Sequence, residues 1–225
     1  FNYCSTFKLF LAAATLERAQ RGDERLDRAV AISSGDLVSH APVTGAAVGG
    51  HLTIQDLCQA TVEVSDNPAA NILIREMGGL DAWRGWLRSI GDADTTIDRL
   101  EPGLNVPDGA KDTAHVDQTV TNLQAVLKEG RLDQAHSALL RRWLVDSPTG
   151  AGRIKAGAPV GWTVAHKTGT GGGGQVNDIG LLEGPNGQRV FLAIYYDGPS
   201  DKPAAEADAV VAEATRISLR AIGHV

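Results

Sequence analysis

At 225 residues the chain can bury a sizeable core without staples, as one domain or two interleaved lobes. An apolar fraction of 43% and a charged fraction of 21% exclude a disordered or fibrous chain, and a net charge of −6 with no Lys/Arg run excludes a nucleic-acid or anionic-membrane surface. The apolar stretch 9–16 is too short to span a bilayer. No leader with a charged start, an apolar stretch and a cleavage site is recognisable, so a cytosolic chain or a mature exported form is expected. Cys4 and Cys58 are expected to be free thiols, the usual state of buried cysteines.

In chain order, the periodicity of Leu9, Ala12, Ala13 and Leu16 predicts a helix over 5–21, closed by Gly22. Thr53 is a plausible N-cap for a helix over 53–60, which Ser65-Asp66-Asn67-Pro68 interrupts; Pro68 suits the first turn of the next, over 69–77. Further amphipathic helices are predicted over 80–90 and 117–129, while 100–112 reads as an ordered loop. The period then changes. Strands are predicted over 163–170, 176–183 and 189–196, the last two joined by a hairpin at Pro185-Asn186-Gly187, and a helix over 205–222 closes the chain. The expected fold class is α+β: an antiparallel sheet flanked by helices, beside an all-helical subdomain. One domain, 1–225, would divide into a mainly helical lobe over about 5–150 and three strands with the final helix over about 151–225, the active site lying between them.

Ser5-Thr6-Phe7-Lys8 places a hydroxyl at a helix start and an amine one turn later on the same face, near enough for a hydrogen bond. A serine is a weak nucleophile until a neighbour takes its proton, and a lysine does so only if its surroundings depress its own pKa. Backbone N–H groups at the helix start favour developing negative charge. Alone the pattern is weak, since S-x-x-K occurs roughly once by chance in a chain this long. Here Ser65-Asp66-Asn67 and Lys167-Thr168-Gly169 follow in order, with Glu101-Pro102-Gly103-Leu104-Asn105 between them. On these motifs the sequence resembles the class A serine β-lactamases from its first residues to its last helix, and is closest in pattern to the branch with an arginine ahead of the K-T-G strand.

The resemblance implies an enzyme that opens the β-lactam amide bond of penicillins and cephalosporins, with carbapenems left open. Ser5 would attack the carbonyl, and Lys8 or Glu101, the latter through a water, would receive the proton. The backbone N–H groups of Ser5 and Thr170 would form the oxyanion hole, and Ser65 would relay a proton to the lactam nitrogen. Asn67 would hold the substrate's side-chain amide. Asn105, one turn past Glu101, would share the deacylating water. Lys167, Thr168, Gly169 and Thr170 would meet the substrate carboxylate, Arg153 would add a charge to it, and His40 would line the cleft mouth. No cofactor or metal is implied, and none of the histidines shows paired metal spacing. The expected partner is a small-molecule β-lactam, with no nucleic acid and no membrane, and the chain is expected to be a periplasmic or secreted monomer.

Relatives carry a helix and two strands ahead of the catalytic helix. That segment is expected to have been cleaved, supplied separately or left outside the numbering. The Glu101 loop reads about two residues shorter than the family pattern. Two rivals share the same serine and lysines: a D,D-peptidase of the penicillin-binding kind, and a β-lactam sensor that acylates without turnover. The Glu101/Asn105 pair argues against both.

Overall fold

The computed structural model describes residues 1–128 and 130–224. A 3-10 turn, Cys4–Thr6, leads into helix α1, Phe7–Gln20, which is buried on every side from Phe7 to Leu16. A helix without a polar face belongs inside the molecule, and α1 packs against the helices that follow. The predicted start at residue 5 is thus a tighter turn, and Gly22 closes the segment at φ 81°.

Two short strands, β1 (Ala29–Ala31) and β2 (His51–Thr53), pair antiparallel with Ala29 opposite Thr53. They are too short to show alternation, so the helical lobe expected over 5–150 contains a hairpin that its sequence does not announce. Thr53 caps α2, Ile54–Glu63, in a reciprocal box with Asp56. Asp66 caps α3, Asn67–Met77, with Pro68 in its first turn and a left-handed Gly78 at its end. Helix α4, Gly79–Ser89, follows directly.

Helix α5 spans Val116–Leu127; the predicted end at Glu129 lies outside the described residues, as does Val225. Helix α6, Gln134–Asp146, has no counterpart among the sequence expectations, although Asp133 caps it through the N–H of His136. A single turn, α7 (Ile154–Gly157), precedes the sheet. Strands β3 (Thr163–Thr170), β4 (Gln175–Glu183) and β5 (Arg189–Asp197) form an antiparallel sheet in that order, and α8 (Ala204–Ala221) closes the fold.

Helices α1 to α6 and one face of the sheet share the larger apolar core, around Leu9, Leu57, Leu73, Trp83, Trp143 and Ile179. A smaller one, with Val164, Leu182, Leu192, Val211 and Leu219, lies between the sheet and α8. The architecture is α+β. Strand β4, buried on both faces over nearly its whole length, brings Asn177 and Asp178 into the interior, where each is hydrogen-bonded. No helix among the described residues is long and apolar enough to cross a membrane.

Candidate active site

Three segments meet at Ser5. On one side, Tyr3 N–H donates to Asp112 O at 3.2 Å, and the Asn2 amide donates to Leu104 O at 2.9 Å and Asp112 O at 3.1 Å, so the nucleophile turn is tied to both ends of the Glu101 loop. On the other, Asn177 Nδ2 donates to Asn2 O at 2.9 Å, and β3 passes so close that a Cβ on Gly169 would lie 2.8 Å from Tyr3 O. Only glycine lets the strand lie against the turn there.

Charges gather beneath this junction. Ser5 Oγ donates to Glu101 Oε1 at 3.1 Å, and Lys8 Nζ stands 3.0 Å from the same oxygen. Lys8 also donates to Asn67 Oδ1 at 2.5 Å and Ser65 O at 2.8 Å. No hydrogen bond joins Lys8 to Ser5 among the described residues. This corrects the expected pair: a carboxylate, a carbonyl and an amide oxygen are stronger acceptors for an ammonium than a hydroxyl is. Ser5 and Glu101 likewise touch directly, where the resemblance implies an intervening water. Asn105 Nδ2 donates to Glu101 Oε2, and Lys167 Nζ donates to Ser65 Oγ at 3.1 Å and Thr168 O at 2.9 Å. Lys8 and Lys167 are fully buried and Glu101 is 3% exposed.

The Ser-Asp-Asn segment is held by its middle residue. Buried Asp66 accepts from the N–H groups of Val43, Thr44 and Ala69 and from the Thr44 hydroxyl. This fixes Ser65 at φ 60°, a left-handed conformation rare outside glycine, with its carbonyl on Lys8. Asn67 Nδ2 donates to Ser39 O at 2.9 Å, and His40, hydrogen-bonded to Val64 O, stands at the mouth. Arg153 is 8% exposed; it pairs with Asp208 at 2.7 Å and donates to Gly169 O, Asn177 O and, at 2.8 Å, Thr170 Oγ1. The cleft, about 340 Å³, is lined by Ser5, Ser65, Asn67 and Asn105 on one side and by Arg153, Thr168 and Thr170 on the other.

The sequence profile described as the beta-lactamase enzyme family matches residues 1–222. The chain belongs to the β-lactamase enzyme family. It falls in class A, the serine β-lactamases. It is 40% identical to β-lactamase ROB-1 of Haemophilus influenzae over 86% of this chain and 64% of that protein, thus spanning just under two thirds of that relative's length. With β-lactamase FAR-1 of Nocardia farcinica the identity is 38% over 99% of this chain and 71% of the relative. The solved class A β-lactamase of Mycobacterium abscessus superposes with a TM-score of 0.93 at 38% identity, covering 99% of this chain and 85% of that one. That of the last common ancestor of Gram-negative bacteria gives 0.93 at 41%, covering 97% and 84%.

Within this β-lactamase fold, burial sets the electrostatics. It pulls the Lys8 amine below its ordinary range, against the carboxylate of Glu101, which raises it. Lys167 is depressed further, first by burial and then by the neighbouring Lys8. Cys4 and Cys58 are free and buried, as expected, with both thiols pushed up to about 12 by loss of solvent.

One support escaped the sequence reading. Asn71 brackets the Glu101 backbone, accepting from its N–H and donating to its carbonyl, each at 2.9 Å. Its place one helical turn after Asn67 was the available signal. Asp112 closes the neck of the same loop. It is buried, holds Arg99 Nε at 2.6 Å, and accepts from Tyr3 OH and the N–H groups of Asp98 and Arg99.

Proposed function

We propose that the protein hydrolyses the β-lactam amide bond of penicillins and cephalosporins through an acyl-Ser5 intermediate, deacylated by a water that Glu101 activates. The observation that carries this reading is the double use of Glu101: Oε1 is shared by Ser5 Oγ and Lys8 Nζ, while Oε2 is held by Asn105. Ser5 would lose its proton to the carboxylate it already touches or to Lys8 in the neutral form that burial favours, and attack the lactam carbonyl. The N–H groups of Ser5 and Thr170 would stabilise the oxyanion, where one donor is worth about 3–4 kcal/mol in comparable sites. Ser65 would give its proton to the departing nitrogen and regain one through Lys8, which touches both Ser65 and Glu101, so that the Ser5 proton ends on the nitrogen and Glu101 is again a carboxylate.

Once Ser5 is an ester its oxygen no longer donates, leaving Glu101 Oε1 free to hold a water. The buried Asn105 Oδ1 has no partner among the described residues and would accept that water's second hydrogen. A carboxylate and an amide aimed together at one water are what a stalled transpeptidase or sensor lacks, which favours turnover over both rivals.

Asn67 would bind the substrate's side-chain amide beside His40, and the Lys167 strand with Arg153 its carboxylate. Carbapenem hydrolysis is the part of the proposed range that rests on Arg153 alone. We also propose the division into lobes over about 5–150 and 151–225, a single chain as the working unit and a periplasmic or secreted location. Nitrocefin turnover in the steady state tests the central reading; a burst of one equivalent without turnover would sink it in favour of the rivals.

A further inference from the structure

We propose that a one-way chain of hydroxyls, Thr168 to Thr149 to Ser147, holds the Thr168 hydroxyl as an acceptor. Thr170 and Arg153 then make the primary carboxylate contact, and Ser147, which touches no substrate, is a positioning residue that sets its strength. The proposal rests on the carboxylate-binding wall described above.

Proton accounting fixes the direction of the chain. Ser147 Oγ lies 2.9 Å from Glu63 O, and a carbonyl can only accept, so the single proton of Ser147 is committed there. The 2.9 Å contact between Ser147 Oγ and Thr149 Oγ1 must therefore use the proton of Thr149. The 2.9 Å contact between Thr149 Oγ1 and Thr168 Oγ1 must in turn use the proton of Thr168. Ser147 is 1% exposed, which leaves solvent little access to its end of the chain. Gly150 permits the approach, because a Cβ there would collide with the Thr168 methyl.

Thr170 has the opposite polarity on the same strand face. Its Oγ1 accepts from Arg153 Nη2 at 2.8 Å, which leaves its proton free, and its side chain is exposed. A carboxylate has no proton to give. At Thr170 it meets a donor beside a guanidinium; at Thr168 it meets lone pairs until that hydroxyl breaks its bond to Thr149 and turns.

The test uses Ser147→Ala, which frees the Thr149 proton to point at Thr168, and Thr149→Val, which frees Thr168 outright. Two constants are read: KM against kcat for nitrocefin, and the Kd of phenylacetate, a plain carboxylate, by NMR titration. Each variant is expected to lower both KM and Kd about fivefold, the equivalent of one neutral hydrogen bond. In a Thr149→Val background Ser147→Ala is expected to change neither, since the link between Ser147 and Thr168 is then already broken.

Unchanged or raised KM and Kd in the single variants would overturn the proposal, as would phenylacetate failing to bind wild type and variants alike. If Ser147→Ala unfolds for want of a donor to Glu63 O, Thr149→Val decides alone. A wild type that does not turn over nitrocefin defeats the lactamase reading, and the phenylacetate constants then judge this proposal separately.

Discussion

On the floor of the cleft Lys8, Glu101 and Lys167 are ionisable groups with almost no solvent, each held by several short contacts. On the facing wall, Thr149, Thr168 and Thr170 present hydroxyls, and one guanidinium, that of Arg153, is neutralised from behind by Asp208. Losing one partner on the floor strands a buried charge, whereas on the wall it costs a hydrogen bond that water can in part replace. The floor is therefore suited to chemistry and the wall to binding. Variants on the floor should change kcat or stability, and those on the wall KM.

The largest effect should come from the group shared by nucleophile and lysine. Glu101→Gln is expected to lower the steady-state kcat for nitrocefin by about 10²- to 10⁴-fold while an acyl-enzyme accumulates, visible as added mass. An undiminished rate would remove Glu101 from deacylation. Asp112→Ala removes the acceptor of Arg99 Nε, of the Tyr3 hydroxyl and of two backbone donors at the neck of the same loop. Denaturant unfolding should show a loss of about 3–5 kcal/mol.

The wall comes next. Arg153→Ala should raise KM for nitrocefin roughly 10- to 100-fold, as for loss of a charge-assisted hydrogen bond, with kcat changed much less. A fall in kcat alone would blur the division. Asn71→Ala, which releases the Glu101 backbone, should lower kcat about five- to tenfold at nearly constant KM.

The smallest effect is a shift on the pH axis. Burial and the Lys8 charge disfavour protonated Lys167, so its folded pKa lies below its unfolded value near 10.5. Between those two values the folded state binds fewer protons than the unfolded one, and the contribution of Lys167 to stability rises with pH across that window. In catalysis, loss of the same proton weakens attraction for the substrate carboxylate, so kcat/KM should decline on the alkaline side below pH 10.5. Lys167→Arg should move that decline upward; an unmoved limb would assign it to another group.

Much of this was legible in the sequence because it is local. The spacing of Ser5 and Lys8, the Asp66 cap beside Pro68, the alternation of Thr168 and Thr170 and the Pro185-Asn186-Gly187 hairpin are each settled within a few residues. Strands β1 and β2 were too short to register, and α6, with charged and apolar residues mixed along it, gave little periodic signal.

What the chain order alone determined was the inventory: which residues carry chemistry, on which kind of element, and the α+β class. Tertiary structure decided who touches whom. Lys8 faces Ser65, Asn67 and Glu101 rather than Ser5, and Asn71 reaches the backbone of a residue far along the chain. The proton order of Thr168 is set by a carbonyl at the end of α2. Helical and strand periodicity are backbone properties read over neighbouring residues, whereas the choice among buried acceptors depends on which segments the core brings within about 3 Å of one another.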